Sequence, residues 1–156
     1  MSSASVYVLD ISVLLHSPDA LYDFPEKEVV LPVSILDALD LLKLDLGEKG
    51  RTAKLVSHML DECRQYGSLA EGVRLPNGGK LRIELSIPEA GSIPYSLNSK
   101  NFSNRVLAVA WMLNQKNKYL VFVSQDENLR TKANTLNVST ISYAGHKKDD
   151  SCLYSG

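Results

Sequence analysis

The chain predicts an α/β fold with a central, mostly parallel sheet covered by helices on both faces, and three observations carry that reading. Short β-prone apolar runs alternate with segments of helical period. Those runs are almost continuously apolar rather than alternating, as strands buried on both faces are. With 156 residues and 44% hydrophobic content, the chain fits one domain with a real core.

Val6-Tyr7-Val8-Leu9, ending at Asp10, reads as the first strand, and Glu28-Val29-Val30-Leu31, closed by Pro32, as the second. Between them, residues 12–15 and 19–22 read as short helical segments with Ser12 and Asp19 as candidate caps. Pro32 is placed to open a helix over 33–44, because its missing N–H would be unpaired there anyway. Ser34, Asp37, Asp40 and Lys43 form the polar stripe of that helix, and Gly47 and Gly50 punctuate its end. A longer helix is expected over 51–66, stopped by Gly67. Residues 73–75 and 80–85 flank Pro76-Asn77-Gly78-Gly79 and predict an inserted β-hairpin. A long loop over 88–101 leads into a helix over 103–115. A strand over 119–123 follows, ending in Ser124-Gln125-Asp126, then a helix over 127–136 and a last strand over 138–142. The expected domain is 1–145, with 146–156 a polar tail or chain end.

No apolar stretch approaches the ~20 residues that span a bilayer, and the N-terminus lacks the pattern of a secretory signal, so a cytoplasmic protein without membrane contact is expected. Cys63 and Cys152 stand far apart without metal-ligand spacing, which excludes a zinc site or disulfide framework by pattern. His16, His58 and His146 are not spaced as a metal pair or a catalytic dyad. The formal net charge is −1, so a nucleic acid would have to be held by a local basic patch or by bridging cations.

In open α/β sheets, ligands bind outside the carboxyl ends of the strands. Asp10 and Asp126 stand at two such ends, and Asp37 lies in the first turns of the helix after another. Singly, each aspartate is an ordinary cap, turn former or solvated helix residue. Together they could converge, and carboxylates brought that close repel unless a hard cation such as Mg²⁺ or Mn²⁺ lies between them. Trp111 and Phe122 read as core, whereas Tyr95 and Phe102, in or beside the loop, could stack on unpaired bases.

The run Val8-Leu9-Asp10-Ile11-Ser12-Val13-Leu14-Leu15-His16 resembles the opening motif of PIN domains, in detail the N-terminal PIN domain of PhoH-like ATPases. The resemblance continues through residues 29–40, Gly50-Arg51-Thr52-Ala53, residues 68–79 with the hairpin, Asn104-Arg105-Val106-Leu107-Ala108 and residues 124–133. It spans roughly residues 5–143 in order. It implies a PIN-like three-layer α/β/α fold and a Mg²⁺- or Mn²⁺-dependent nuclease site acting on single-stranded RNA. It further implies pairing into a homodimer or higher oligomer, and association with an RNA-helicase-like ATPase domain or partner. No Gly-x-x-x-x-Gly-Lys-Ser/Thr phosphate loop occurs in these residues.

Carried over by position, the resemblance makes Asp10, Asp37 and Asp126 the catalytic and metal-holding acids. Asp37 stands where the family has the longer glutamate, and Ser103 where it has an aspartate before Asn-Arg. Ser12, Ser103, Asn104 and Asn128 would support the acids or the phosphate, and Arg105, Arg130 and Lys132, with Arg51 a weaker candidate, would meet RNA. Ser103 cannot supply the charge that helps to hold a second cation, so a weakened metal-dependent endoribonuclease is expected. The rival expectation is a catalytically inactive PIN-fold module that binds RNA or a protein. A phosphoacceptor domain of the response-regulator type is disfavoured by the hairpin and by the absence of a strand-end lysine.

Overall fold

The computed structural model describes residues 4–94, 97, 101–117 and 119–147. The elements in chain order are β1 (Val6–Leu9), α1 (Ile11–His16), a 3₁₀ turn (Pro18–Tyr22), β2 (Glu28–Pro32), α2 (Ser34–Leu42), α3 (Glu48–Cys63), β3 (Val73–Arg74), β4 (Lys80–Glu84), α4 (Phe102–Asn114), β5 (Leu120–Val123), α5 (Glu127–Thr135) and β6 (Ser139–Ile141). They build a three-layer α/β/α fold on a six-stranded sheet of order β3-β4-β2-β1-β5-β6. Every neighbouring pair is parallel except β3 with β4.

The central strands are buried on both faces, which is why their sequences are continuously apolar: Val8, Leu9, Val30, Leu31, Phe122 and Val123 all lie in the core. Helix α2 buries Ile35 and Leu39, one turn apart, and α3 buries Ala53, Val56, Leu60 and Cys63 along one stripe. Phe122 is fully buried and Trp111 packs partly buried against the same core, as their sequence positions suggest.

Three local expectations are corrected, and one is extended. Pro32 ends β2 opposite Glu84 instead of opening a helix; the next amide, Val33 N–H, donates to the Glu84 carbonyl at 3.0 Å, and α2 starts at Ser34. A proline lacks the donor that a ladder uses, so the end of a strand tolerates it. The expected hairpin forms, with β3 antiparallel to β4, and β4 also pairs in parallel with β2 and extends the main sheet. The residues capping the first two helical segments are Asp10 and Ser17 rather than Ser12 and Asp19, and neither makes a side-chain cap bond. Gly50 lies inside α3, which begins at Glu48, before the expected start.

That early start depends on a missing side chain. A Cβ at Gly50 would sit 1.9 Å from the Asp45 carbonyl oxygen, so the first turn of α3 can lie against the preceding loop only with glycine there. Gly50→Ala is expected to destabilise the protein by about 1–3 kcal/mol through forced backbone displacement. A thermal melt checks this, and an unchanged midpoint would show that the loop yields freely.

The chain returns to the sheet after β6 through a helical turn over 143–147. Gln125 Oε1 accepts from the amides of Tyr143 (2.6 Å) and Ala144 (3.1 Å), the Tyr143 hydroxyl donates to Asp23, and the His146 ring stacks on Phe24 at 4.7 Å. Cys152 and Tyr95, both considered from sequence, lie outside the described residues.

Candidate active site

The parallel order β2-β1-β5 sets the carboxyl ends of three strands side by side. The β1–β5 ladder pairs Leu9 with Val123, and Asp10 N–H continues it onto the Val123 carbonyl at 3.0 Å. Asp10 and Ser124 are therefore neighbours across the edge, although 114 residues separate them in the chain.

Asp10 is buried, with only 2% of its surface exposed. Its Oδ2 accepts hydrogen bonds from the hydroxyls of Ser12 (2.7 Å) and Ser124 (3.0 Å). Its Oδ1 is buried without a hydrogen-bond partner among the described residues. Burial holds the carboxyl above its ordinary pKa, because desolvation disfavours the charged form; the two hydroxyls, and the Ile11 and Ser12 amides, oppose that shift without overcoming it.

Ser12 and Ser124 extend this clamp to the next strand end. Ser12 Oγ accepts from Gln125 N–H at 3.0 Å, and Ser124 Oγ accepts from Asp126 N–H at 3.1 Å. Asp126 is the N-cap of α5: its Oδ1 accepts from the amides of Asn128 (3.0 Å) and Leu129 (3.2 Å). The cap bonds use Oδ1 alone, so Oδ2 has no hydrogen bond among the described residues. Beneath it, Arg130 Nη1 donates to the Ser124 carbonyl at 2.6 Å and ties α5 to the strand end.

Other expected site residues are placed differently. Asp37 is solvent-exposed in the first turn of α2, with its carboxylate outside the Asp10–Ser124–Asp126 network. The expected gathering of Asp10, Asp37 and Asp126 into one metal-holding group is not present: among the described residues, no three His, Cys, Asp or Glu side chains stand close enough to hold an ion.

Ser103 is half-buried in the first turn of α4, followed by Asn104, which is only 7% exposed. Asn104 Oδ1 accepts from Lys132 Nζ at 2.8 Å. Arg105 is exposed, with its guanidinium 5.9 Å over the Phe102 ring on its own helix, which gives Phe102 a local partner. Asn128 is exposed beside the Asp126 cap, and Arg51 is exposed on α3.

Ser124 is the site residue not expected from the sequence. Its signal was its place directly after a buried strand, but its role depends on which strand lies next to β5, and that is not written locally. Two clefts, of about 370 and 620 Å³, open beside the β3–β4 turn, and their walls contain none of the expected site residues.

The donor set can be tested against the divalent cation expected here. A buried carboxylate oxygen without a partner, raised in pKa by desolvation, is a poor end state for a protein but a good ligand for a hard cation. Asp10 Oδ1 is a donor of that kind, and Asp126 stands at the adjoining strand end. The described residues do not provide a ready three-acid set for a closely spaced pair.

Comparison with known proteins agrees with this architecture. A family model described as PIN domain matches residues 7–144. Protein PhoH2 of Bacillus subtilis (strain 168) is 36% identical over 160 residues, covering 98% of this chain and 36% of that protein. Protein PhoH2 of Mycolicibacterium smegmatis is 34% identical over 145 residues, covering 92% of this chain and 32% of that protein. The chain thus spans about a third of the length of the curated relatives it matches. Among solved structures, a domain of a functionally unknown protein from Methanocaldococcus jannaschii superposes with a TM-score of 0.60 at 12% identity, covering 89% of this chain and 91% of that one, which is a likeness of fold. Element order, sheet topology and the match across nearly the whole chain agree: the chain belongs to the PIN-domain family.

Proposed function

We propose that this chain is a Mg²⁺- or Mn²⁺-dependent endoribonuclease that hydrolyses phosphodiester bonds in single-stranded RNA. The observation that carries the reading is Asp10 Oδ1, a buried carboxylate oxygen without a partner at the carboxyl edge of a PIN sheet. A protein gains nothing in stability from such an atom, so a ligand is its natural explanation.

In the reaction, a water oxygen bonds to phosphorus, the bond from phosphorus to one ribose oxygen breaks, and the departing oxygen gains a proton. A bound Mg²⁺ or Mn²⁺ would offset the phosphate charge and lower the pKa of water. Asp10 and Asp126 would hold the ion, with Asp37 reaching it through water. Ser12 and Ser124 keep Asp10 in one orientation, while Asn128 stands beside Asp126. Arg105, Arg130 and Lys132 would contact the RNA backbone. A second copy of the chain, or an ATPase domain of the kind the resemblance suggests, would complete the assembly in which the site works.

Ser103 leaves the site short of one charge, so Ser103→Asp should raise both Mn²⁺ affinity and the cleavage rate, on the order of tenfold. The assay is cleavage of a single-stranded RNA across a Mn²⁺ titration. The absence of a three-acid group favours a second reading, an RNA-binding module without turnover. RNA binding with no cleavage by either form, at any Mn²⁺ concentration, would establish it in place of the first.

A further inference from the structure

Arg74 lies in the walls of both clefts beside the β3–β4 turn, so the two cavities meet at this residue. They differ in chemistry. The smaller, about 370 Å³, opens at the amino ends of the strands, where Ser5 precedes β1, Lys27 precedes β2 and Lys80 begins β4. That is the sheet edge opposite Asp10 and Ser124. The larger, about 620 Å³, is walled by Tyr22 and Tyr66 together with Val73, Leu75 and Pro76.

The smaller cleft carries an excess of positive charge. Antiparallel pairing sets Arg74 directly opposite Lys80, so the two side chains share one face of the sheet. Like charges so placed repel, and among the described residues neither has an ion pair or a side-chain hydrogen bond. Gly72 makes room for the lysine: a Cβ there would sit 1.9 Å from Lys80 Cε. Of the two acids in this wall, Glu28 is engaged by Arg82 at 2.9 Å and Glu26 is exposed, against three cations. A phosphate would relieve the repulsion between Arg74 and Lys80.

The larger cleft supplies aromatic surface. Tyr66, on the turn that ends α3, is 81% exposed and leaves its ring open to solvent. Tyr22 is half-buried, with its hydroxyl 3.6 Å from the Cys63 sulfur. Asn77 shapes the wall, donating to the Tyr22 carbonyl and accepting from Gly79 N–H, both at 2.8 Å. Exposed aromatic rings take any base by stacking.

We propose that the two clefts form one nucleotide site: the base stacks on Tyr66 in the larger cleft, and its phosphate lies between Arg74 and Lys80 in the smaller. The occupant is a free nucleotide or one unit of a single RNA strand. The site needs neither a metal ion nor turnover, so it stands or falls independently of the ribonuclease reading.

The test is calorimetric titration with adenosine monophosphate, adenosine and a short oligoadenylate in a chelating buffer, with amide shifts read by NMR. The native chain is expected to bind the monophosphate about tenfold more tightly than adenosine and to shift the Gly72, Gly78 and Gly79 amides. Tyr66→Ala should weaken both ligands about tenfold. Arg74→Met should weaken the monophosphate about tenfold and leave adenosine unchanged. Both residues are exposed, so neither substitution disturbs the core. Oligoadenylate that binds more tightly than the monophosphate, and loses that affinity in Tyr66→Ala, supports the site with an RNA strand as its occupant. Monophosphate binding that is equal or tighter supports it with a free nucleotide. If neither ligand binds, or if both variants bind as the native chain does, the proposal is overturned.

Discussion

Asp10→Asn is expected to reduce Mn²⁺-dependent cleavage by roughly a hundredfold or more, and to make the metal-free protein more stable at neutral pH. Both effects follow from one atom. In the native chain, Oδ1 is buried without a partner while Oδ2 receives two hydroxyls. The amide keeps an oxygen for those hydroxyls and removes the buried charge. The amide nitrogen takes the same partnerless slot, so the gain comes from the lost charge alone, and the variant should melt above the native protein in a chelating buffer.

The pH dependence has a definite sign. Burial raises the Asp10 pKa in the folded state, so the native protein keeps a proton that the unfolded chain releases. Stability from this group is complete at pH values below the ordinary carboxylate pKa of ~4 and falls as pH rises through the raised value. Urea melts between acid and neutral pH, without metal, should show this loss in the native protein and its absence in Asp10→Asn. Added Mn²⁺ should stabilise the native protein alone, since a ligand of the folded state acts by mass action. A variant that melts below the native protein in chelator would refute an unpaired charge at Asp10.

The second large effect is expected at Ser124. Its hydroxyl donates to Asp10 Oδ2 at 3.0 Å and accepts from Asp126 N–H at 3.1 Å, so one side chain fixes both strand-end acids. Ser124→Ala removes both bonds and should lower Mn²⁺ affinity and cleavage by about 10–100-fold, in the range seen when groups supporting metal ligands are removed. The Asp126 amide also loses its acceptor, at about 1 kcal/mol in stability. Ser124→Thr keeps the hydroxyl and should restore much of the metal affinity, which a purely volumetric role for Ser124 would not allow. Calorimetric Mn²⁺ titration of the three forms decides between these outcomes.

Much of the fold was legible along the chain. Continuous apolar runs marked β1, β2 and β5, and the Asn77-Gly78 turn marked the hairpin. Where local preference and fold differ, the cause is one and the same. Local preference suits Pro32 to a helix start, whereas a partner strand supplies a ladder that it finishes. Gly50 looked like a break because its bare backbone is costly in a helix, and its use appears only when the Asp45 carbonyl lies against it.

By itself, the sequence determined the order of elements and the placement of Asp10 and Asp126 at strand ends, because hydrophobic period and turn chemistry act between residues a few positions apart. Tertiary structure alone decided that β4 joins β2, that Ser124 clamps an aspartate 114 residues away, that Asp37 lies exposed on α2, and that Lys132 rests on Asn104. Those outcomes depend on which strands pair and which helix ends meet. Burial and register across the sheet settle both, and no local stretch of chain encodes either.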